Sequence, residues 1–112
     1  MAGKHTLKVD KGTTFNFVFV IKTGVDPWNL TGYSATMKIR KGSIDGPILI
    51  TLSTANGKIS LTNLGKVTIG MTATETQNLI AGRHVYELDF TSGNQQVTRI
   101  LEGRFLVGTT VL

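Results

Sequence analysis

The sequence predicts an all-β protein built as an antiparallel sandwich, and three observations carry that prediction. Apolar and polar residues alternate with a period of two in short stretches from end to end, turn chemistry separates those stretches at regular intervals, and only one segment carries a helix-start signal. The 112 residues are read as one domain, 1–112, since a chain of this length buries roughly two thirds of its unfolded surface around one core.

Residues 5–10 (HTLKVD) put Leu7 and Val9 on one side of a first short strand, and Lys11-Gly12 turns the chain. Over 14–21, Phe15, Phe17, Phe19 and Ile21 alternate with Asn16, Val18 and Val20, so one face is aromatic and the other partly apolar. Val18 and Val20 therefore predict a cover for the second face, either a loop or another subunit. Asp26-Pro27 is a turn signal, because proline fixes φ and pushes the aspartate towards extended geometry. Trp28, the only tryptophan, is read as a plug at a sheet edge. Next, Tyr33, Ala35, Met37 and Ile39 alternate with Ser34, Thr36, Lys38 and Arg40, which is a strand with one dry side.

After a Gly-rich turn over 41–47, Ile48, Ile50 and Leu52 alternate with Leu49, Thr51 and Ser53. Asn56-Gly57 has the chemistry of a primed hairpin turn. A short strand over 58–61 and a turn over 63–66 precede Val67, Ile69 and Met71, which alternate again. Thr72-Ala73-Thr74-Glu75 fits a capping box and predicts a short helical turn near 73–80, ended by Gly82. His84, Tyr86, Leu88 and Phe90 then alternate with Arg83, Val85, Glu87 and Asp89. Residues 91–94 (TSGN) form a hairpin turn. In the last strand Leu101, Gly103, Phe105 and Val107 share one face, with Ile100, Glu102, Arg104 and Leu106 on the other. Gly103 in mid-strand signals a bulge or a close approach. Seven to eight strands with one helical turn fit an immunoglobulin-like sandwich, with a small closed barrel as the rival.

Function is less legible. The chain has no cysteine, hence no disulfide and no thiolate metal site, and its longest apolar run, 17–21, is far short of a membrane span. No signal peptide is visible at the N-terminus, which places folding in a cytoplasm. A net charge of +5 favours acidic partners, but the twelve basic residues are scattered along the sequence and no aromatic platform interleaves them, so no nucleic acid is expected. His5 and His84 lack a second ligand at metal spacing, and no Gly-rich loop matches a phosphate-binding pattern. Glu87 and Asp89 are the nearest approach to paired catalytic carboxylates, with Arg83, Arg99 and Arg104 expected beside them to keep both ionised. The expectation is a protein without catalytic residues, metal or cofactor.

The stretches WNLTGYSATMKIRK, GKVTIGMTATETQNLIAGRHVYELDF and TRILEGRFLV resemble the N-terminal domain of the upper baseplate protein of siphophages and the small tail or baseplate proteins that share its pattern. Leu30, Thr31, Gly32 and residues 39–41 carry the first part, Thr72, Leu79, Gly82, Tyr86 and Leu88 the second, and Gly103, Phe105 and Val107 the third. The resemblance implies a sandwich module used for assembly. It would be a subunit of the phage tail, baseplate or neck, made in the host cytoplasm and carried in the virion, where it contacts copies of itself and other virion proteins. Capsid decoration and a stand-alone carbohydrate or cell-surface binding module are the alternatives. Val18, Val20, Val85, Ile100 and Leu106, placed opposite the presumed core, are the candidate subunit contacts, together with Trp28 and the uncharged chain end GTTVL.

Overall fold

A computed structural model describes residues 3–23 and 26–108. The strands are β1 (Gly3–Lys4), β2 (Leu7–Asp10), β3 (Phe15–Val20), β4 (Lys22–Thr23), β5 (Asp26–Pro27), β6 (Ser34–Lys41), β7 (Ile48–Ser53), β8 (Ile59–Leu61) and β9 (Lys66–Met71). Helix α1 (Ala73–Gln77) follows, and then β10 (Gly82–Thr91) and β11 (Val97–Gly108). Two sheets face each other. The larger runs β1-β11-β10-β6-β7, with β2 also on β11; the smaller runs β3-β9-β8, and β4 with β5 makes a separate ribbon. β1 and β2 lie parallel to β11, while neighbours elsewhere in both sheets are antiparallel. This is an immunoglobulin-like sandwich.

Alternation in the sequence becomes burial in the fold. Ala35, Met37 and Ile39 of β6, Leu88 and Phe90 of β10 and Phe105 of β11 pack with Phe15, Ile59, Val67, Ile69 and Met71 of the smaller sheet. Phe15 and Phe105 meet edge to face across the interface at 5.6 Å, and Tyr86 meets Phe105 in the same manner within the larger sheet at 6.4 Å. Such pairs add about 1 kcal/mol beyond the area they bury.

Tyr86 is buried on the core side of β10. Its phenol donates to the His5 carbonyl at 2.7 Å and so ties the β1–β2 link to β10, and burial pushes its pKa up to about 12. Near the start of this strand, immunoglobulin domains place a tyrosine whose hydroxyl reaches back to the preceding corner. Here buried His84 does this: Nε2 donates to the Ile80 carbonyl at 2.6 Å and Nδ1 accepts from the Gly42 N–H at 3.4 Å. The two contacts together select the Nε2–H tautomer.

Helix α1 has the expected capping box, Thr72 and Glu75 each accepting from the other's backbone, but it ends at Gln77 rather than near 80. Lys58, hydrogen-bonded to Glu75, and the Thr72 N–H hold that carboxylate below its ordinary pKa. Thr76, fully buried, donates its hydroxyl to the Thr13 carbonyl at 2.6 Å and accepts from the Gly12 N–H, pinning the helix to the β2–β3 turn.

Two irregularities reverse alternations read from the sequence. The β6–β7 register shifts between Ile39 and Arg40, so Leu49 packs against the core and Ile48 turns outward, 45% exposed. The β10–β11 register shifts between Leu88 and Asp89, and Ile100, expected opposite the core, packs against it instead. Nor does Asn56-Gly57 close a hairpin, because β7 and β8 belong to different sheets. The segment is a corner in which Asn56 Oδ1 accepts from the Ser53 and Lys58 N–H groups at 3.0 and 3.1 Å. At Gly103 the mid-strand signal is a close approach: a Cβ there would sit 2.2 Å from the His5 carbonyl oxygen.

Tyr86→Phe removes the bond to His5 and is expected to cost about 1 kcal/mol at neutral pH. Because the folded state holds the phenol neutral to about pH 12, its stabilisation is complete below the ordinary value of 10.0 and disappears as pH rises through 12. Urea denaturation at pH 8, 10 and 11.5 checks this: the wild type loses stability over that range, and the variant loses less.

Candidate interaction surfaces

Along β10 the residues between the core positions face away from the smaller sheet, and there the sequence places Val85, Glu87 and Asp89. Glu87 is only 8% exposed, so its charge needs partners. Arg40 Nε donates to one carboxylate oxygen at 3.0 Å and an Arg99 amino group to the other at 3.0 Å. Arg99 also binds Asp89 through Nε and Glu102 at 3.3 Å, and Arg40 reaches the Gly46 carbonyl at 3.3 Å, which fastens the β6–β7 loop. The hydrogen bond that Arg99 donates to Asp89 holds the Arg99 pKa above its ordinary value, so this guanidinium stays charged at the centre of the network. Of the three arginines expected beside the two acids, Arg99 is there. Arg40 stands in place of Arg83 and Arg104, brought to Glu87 by β6 lying beside β10. Among the described residues, no group of three His, Asp or Glu is placed to hold a metal ion. No helix among them is long and apolar enough to cross a membrane.

A second surface lies on the smaller sheet. Val18 and Val20 project from β3 and are 44% and 52% exposed. Among the described residues β3 has β9 on one side only, because β2 pairs with β11 and leaves an open cleft of about 680 Å³ lined by residues 5–10 and 13–17. His5 stacks on Phe17 inside this cleft at 5.4 Å. The strand reads FNFVFV, and it lacks the charge, proline or bulge with which natural edges are normally blunted.

The remaining candidates divide. Val85 and Leu106 are half-buried on the outer side of the larger sheet. Trp28 and Ile100 belong to the core: Trp28 sits edge-on to Tyr33 at 5.4 Å and 6.1 Å from Phe90, which is the plug read from the sequence. Residues 109–112, most of the uncharged chain end, lie outside the described residues.

Fold and surfaces together define an immunoglobulin-like sandwich module whose notable chemistry is carried on its sheets and edges. No family model matches the chain, and no curated protein sequence matches it. Among solved structures, murine CRIg is similar at 10% identity, covering 95% of this chain and 92% of that one with a TM-score of 0.44. The extracellular domain of the voltage-gated sodium channel beta4 subunit, described as a parallel homodimer with a role in cell-cell adhesion, is similar at 12% identity. That match covers 99% of this chain and 96% of the other, with a TM-score of 0.41.

Arg99→Met strips a partner from three carboxylates, one of them buried, and is expected to destabilise the fold by about 2 kcal/mol. Arg104→Met, on an exposed side chain with no ion pair among the described residues, is expected to change stability by less than about 0.5 kcal/mol. Equilibrium urea denaturation of both variants gives the comparison.

Proposed function

We propose that this protein is a non-enzymatic structural subunit of a tailed-phage virion, in the tail, baseplate or neck, that works by packing against copies of itself and against other virion proteins. The observation that carries the proposal is the open β3 edge: six uncharged residues with unpaired backbone on one side and two exposed valines beside it. An edge of this kind favours continuation of the ladder by a strand from another protein, with backbone hydrogen bonds giving affinity and the alternate side chains giving specificity. A second copy supplies an identical edge, and pairing about a two-fold axis satisfies both at once. The resemblance of the strand-forming segments to siphophage baseplate domains supplies the setting, a virion assembled in the host cytoplasm.

Catalysis has no support in the arrangement of the acids. A hydrolase would need Glu87 or Asp89 free to take a proton or to attack, and Arg40 and Arg99 occupy them. Nor does a carbohydrate-binding module gain support, since the aromatic rings that would stack on a sugar are turned inward. Tyr86 is buried, and Trp28 and Tyr33 pack with Phe90. The proposal includes no cofactor, no nucleic acid and no membrane.

Val20→Asp tests it. Since Val20 is more than half exposed, the variant is expected to fold with a melting temperature within a few degrees of the wild type. Sedimentation velocity across a concentration series is expected to show a wild-type oligomer that the variant cannot form. A wild type that stays monomeric at every concentration, alone and with its neighbouring gene products, overturns the proposal.

A further inference from the structure

The basic residues look scattered in the sequence, but strand register gathers them on one face. Reading across β1, β2, β11, β10 and β6, the outer side of the larger sheet carries all four arginines of the chain and Lys4, Lys8 and Lys38, against Asp10, Glu87, Asp89 and Glu102. Seven cations less four acids leave +3 there, out of the chain's +5. Arg40 and Arg99 are spent on Glu87, Asp89 and Glu102, while Lys4, Lys8, Lys38, Arg83 and Arg104 make no ion pair among the described residues. The outward side of the smaller sheet, by contrast, presents Asn16, Val18, Val20, Ser60 and Thr68, with Lys66 its one strand-borne cation. Within the basic face runs an open groove of about 440 Å³, lined by Lys4, Ile44, Val85, Arg99, Glu102 and Arg104. Its apolar parts are Val85 on β10 and Ile44, 52% exposed, on the β6–β7 loop that Arg40 fastens through Gly46.

We infer that this face docks an acidic segment of a different protein, one that sets an aliphatic or aromatic side chain between carboxylates. The apolar side chain enters the groove against Val85 and Ile44, while the carboxylates meet the free cations on its rims. Charge complementarity excludes a second copy as the occupant, because like faces would oppose five free cations to five. The apolar groove favours a protein over a nucleic acid, whose backbone offers phosphates and no such anchor. The inference deepens the assembly proposal, on which it rests, by giving the chemistry of the partner.

Fluorescence anisotropy at low salt tests it with a labelled Glu-Glu-Phe-Glu-Glu peptide, an all-glutamate peptide of equal length and a short DNA duplex. The phenylalanine peptide is expected to bind more tightly than the other two probes. Arg83→Glu with Arg104→Glu is expected to weaken it about tenfold, and the charge-matched control Lys22→Glu with Lys66→Glu by no more than about twofold. Ile44→Ser is expected to erase the preference for phenylalanine. All altered side chains are exposed, and circular dichroism melts confirm folding. No peptide binding, equal losses in both charge variants, or a tighter complex with DNA each overturns the inference. Because Val20 lies on the opposite sheet, failure here with the oligomer intact rejects the basic-face partner alone.

Discussion

Two sheets with no covalent tie between them can stay together only if the side chains at their interface fill it completely, and that requirement shapes the molecule. A buried disulfide in a small domain typically contributes 2–4 kcal/mol, and this chain has no cysteine with which to make one. Buried Tyr86 reaches Phe105 with its ring and the His5 carbonyl with its hydroxyl, and Phe105 in turn meets Phe15 of the smaller sheet. Aromatic packing thus joins the sheets through Phe105 and Phe15, and the polar end of Tyr86 finds a partner outside the core. The same economy appears at the corner before β10, where His84 takes over a role that a tyrosine hydroxyl usually fills and gains a second contact to the β6–β7 loop.

That anchoring has a cost at the side of the sandwich. For Tyr86 to reach His5, the N-terminal segment must lie on β11, and Gly103 is what lets the His5 backbone come so close. With β1 and β2 given to the larger sheet, no strand among the described residues pairs with the second edge of β3. The arrangement that secures the N-terminal segment to the larger sheet therefore leaves the strongest candidate for joining one molecule to another. The two properties have one structural origin.

The sequence made the strands legible because burial on one face imposes a period of two that needs no knowledge of neighbours. β6, β9 and β10 could be read in this way to within a residue or two, as could the capping box at Thr72 and the plug at Trp28. What escaped was everything that depends on pairing between strands. Ile100 and Leu49 changed faces because each lies at a register shift, which leaves no mark on its own strand. Asn56-Gly57 has the chemistry of a hairpin turn, but the destination of the next strand decides whether a turn joins neighbours or crosses between sheets. The partner of Glu87 could not be found by proximity in sequence, since Arg40 is brought to it by β6 lying beside β10. The clustering of all four arginines is the same effect on a larger scale.

The two surfaces differ in the way that their proposed partners require. An uncharged edge gains from meeting its own copy, because identical ladders are complementary about a two-fold axis and no charge opposes them. A face with five free cations gains nothing from its copy and much from a surface of the opposite sign. Had the lysines and arginines been spread over both sheets, self-association would have carried a repulsive term everywhere. Confining most of them to the larger sheet, with Glu87 and Asp89 neutralising two at the centre, lets a domain of 112 residues keep one contact for its own kind and another for a stranger.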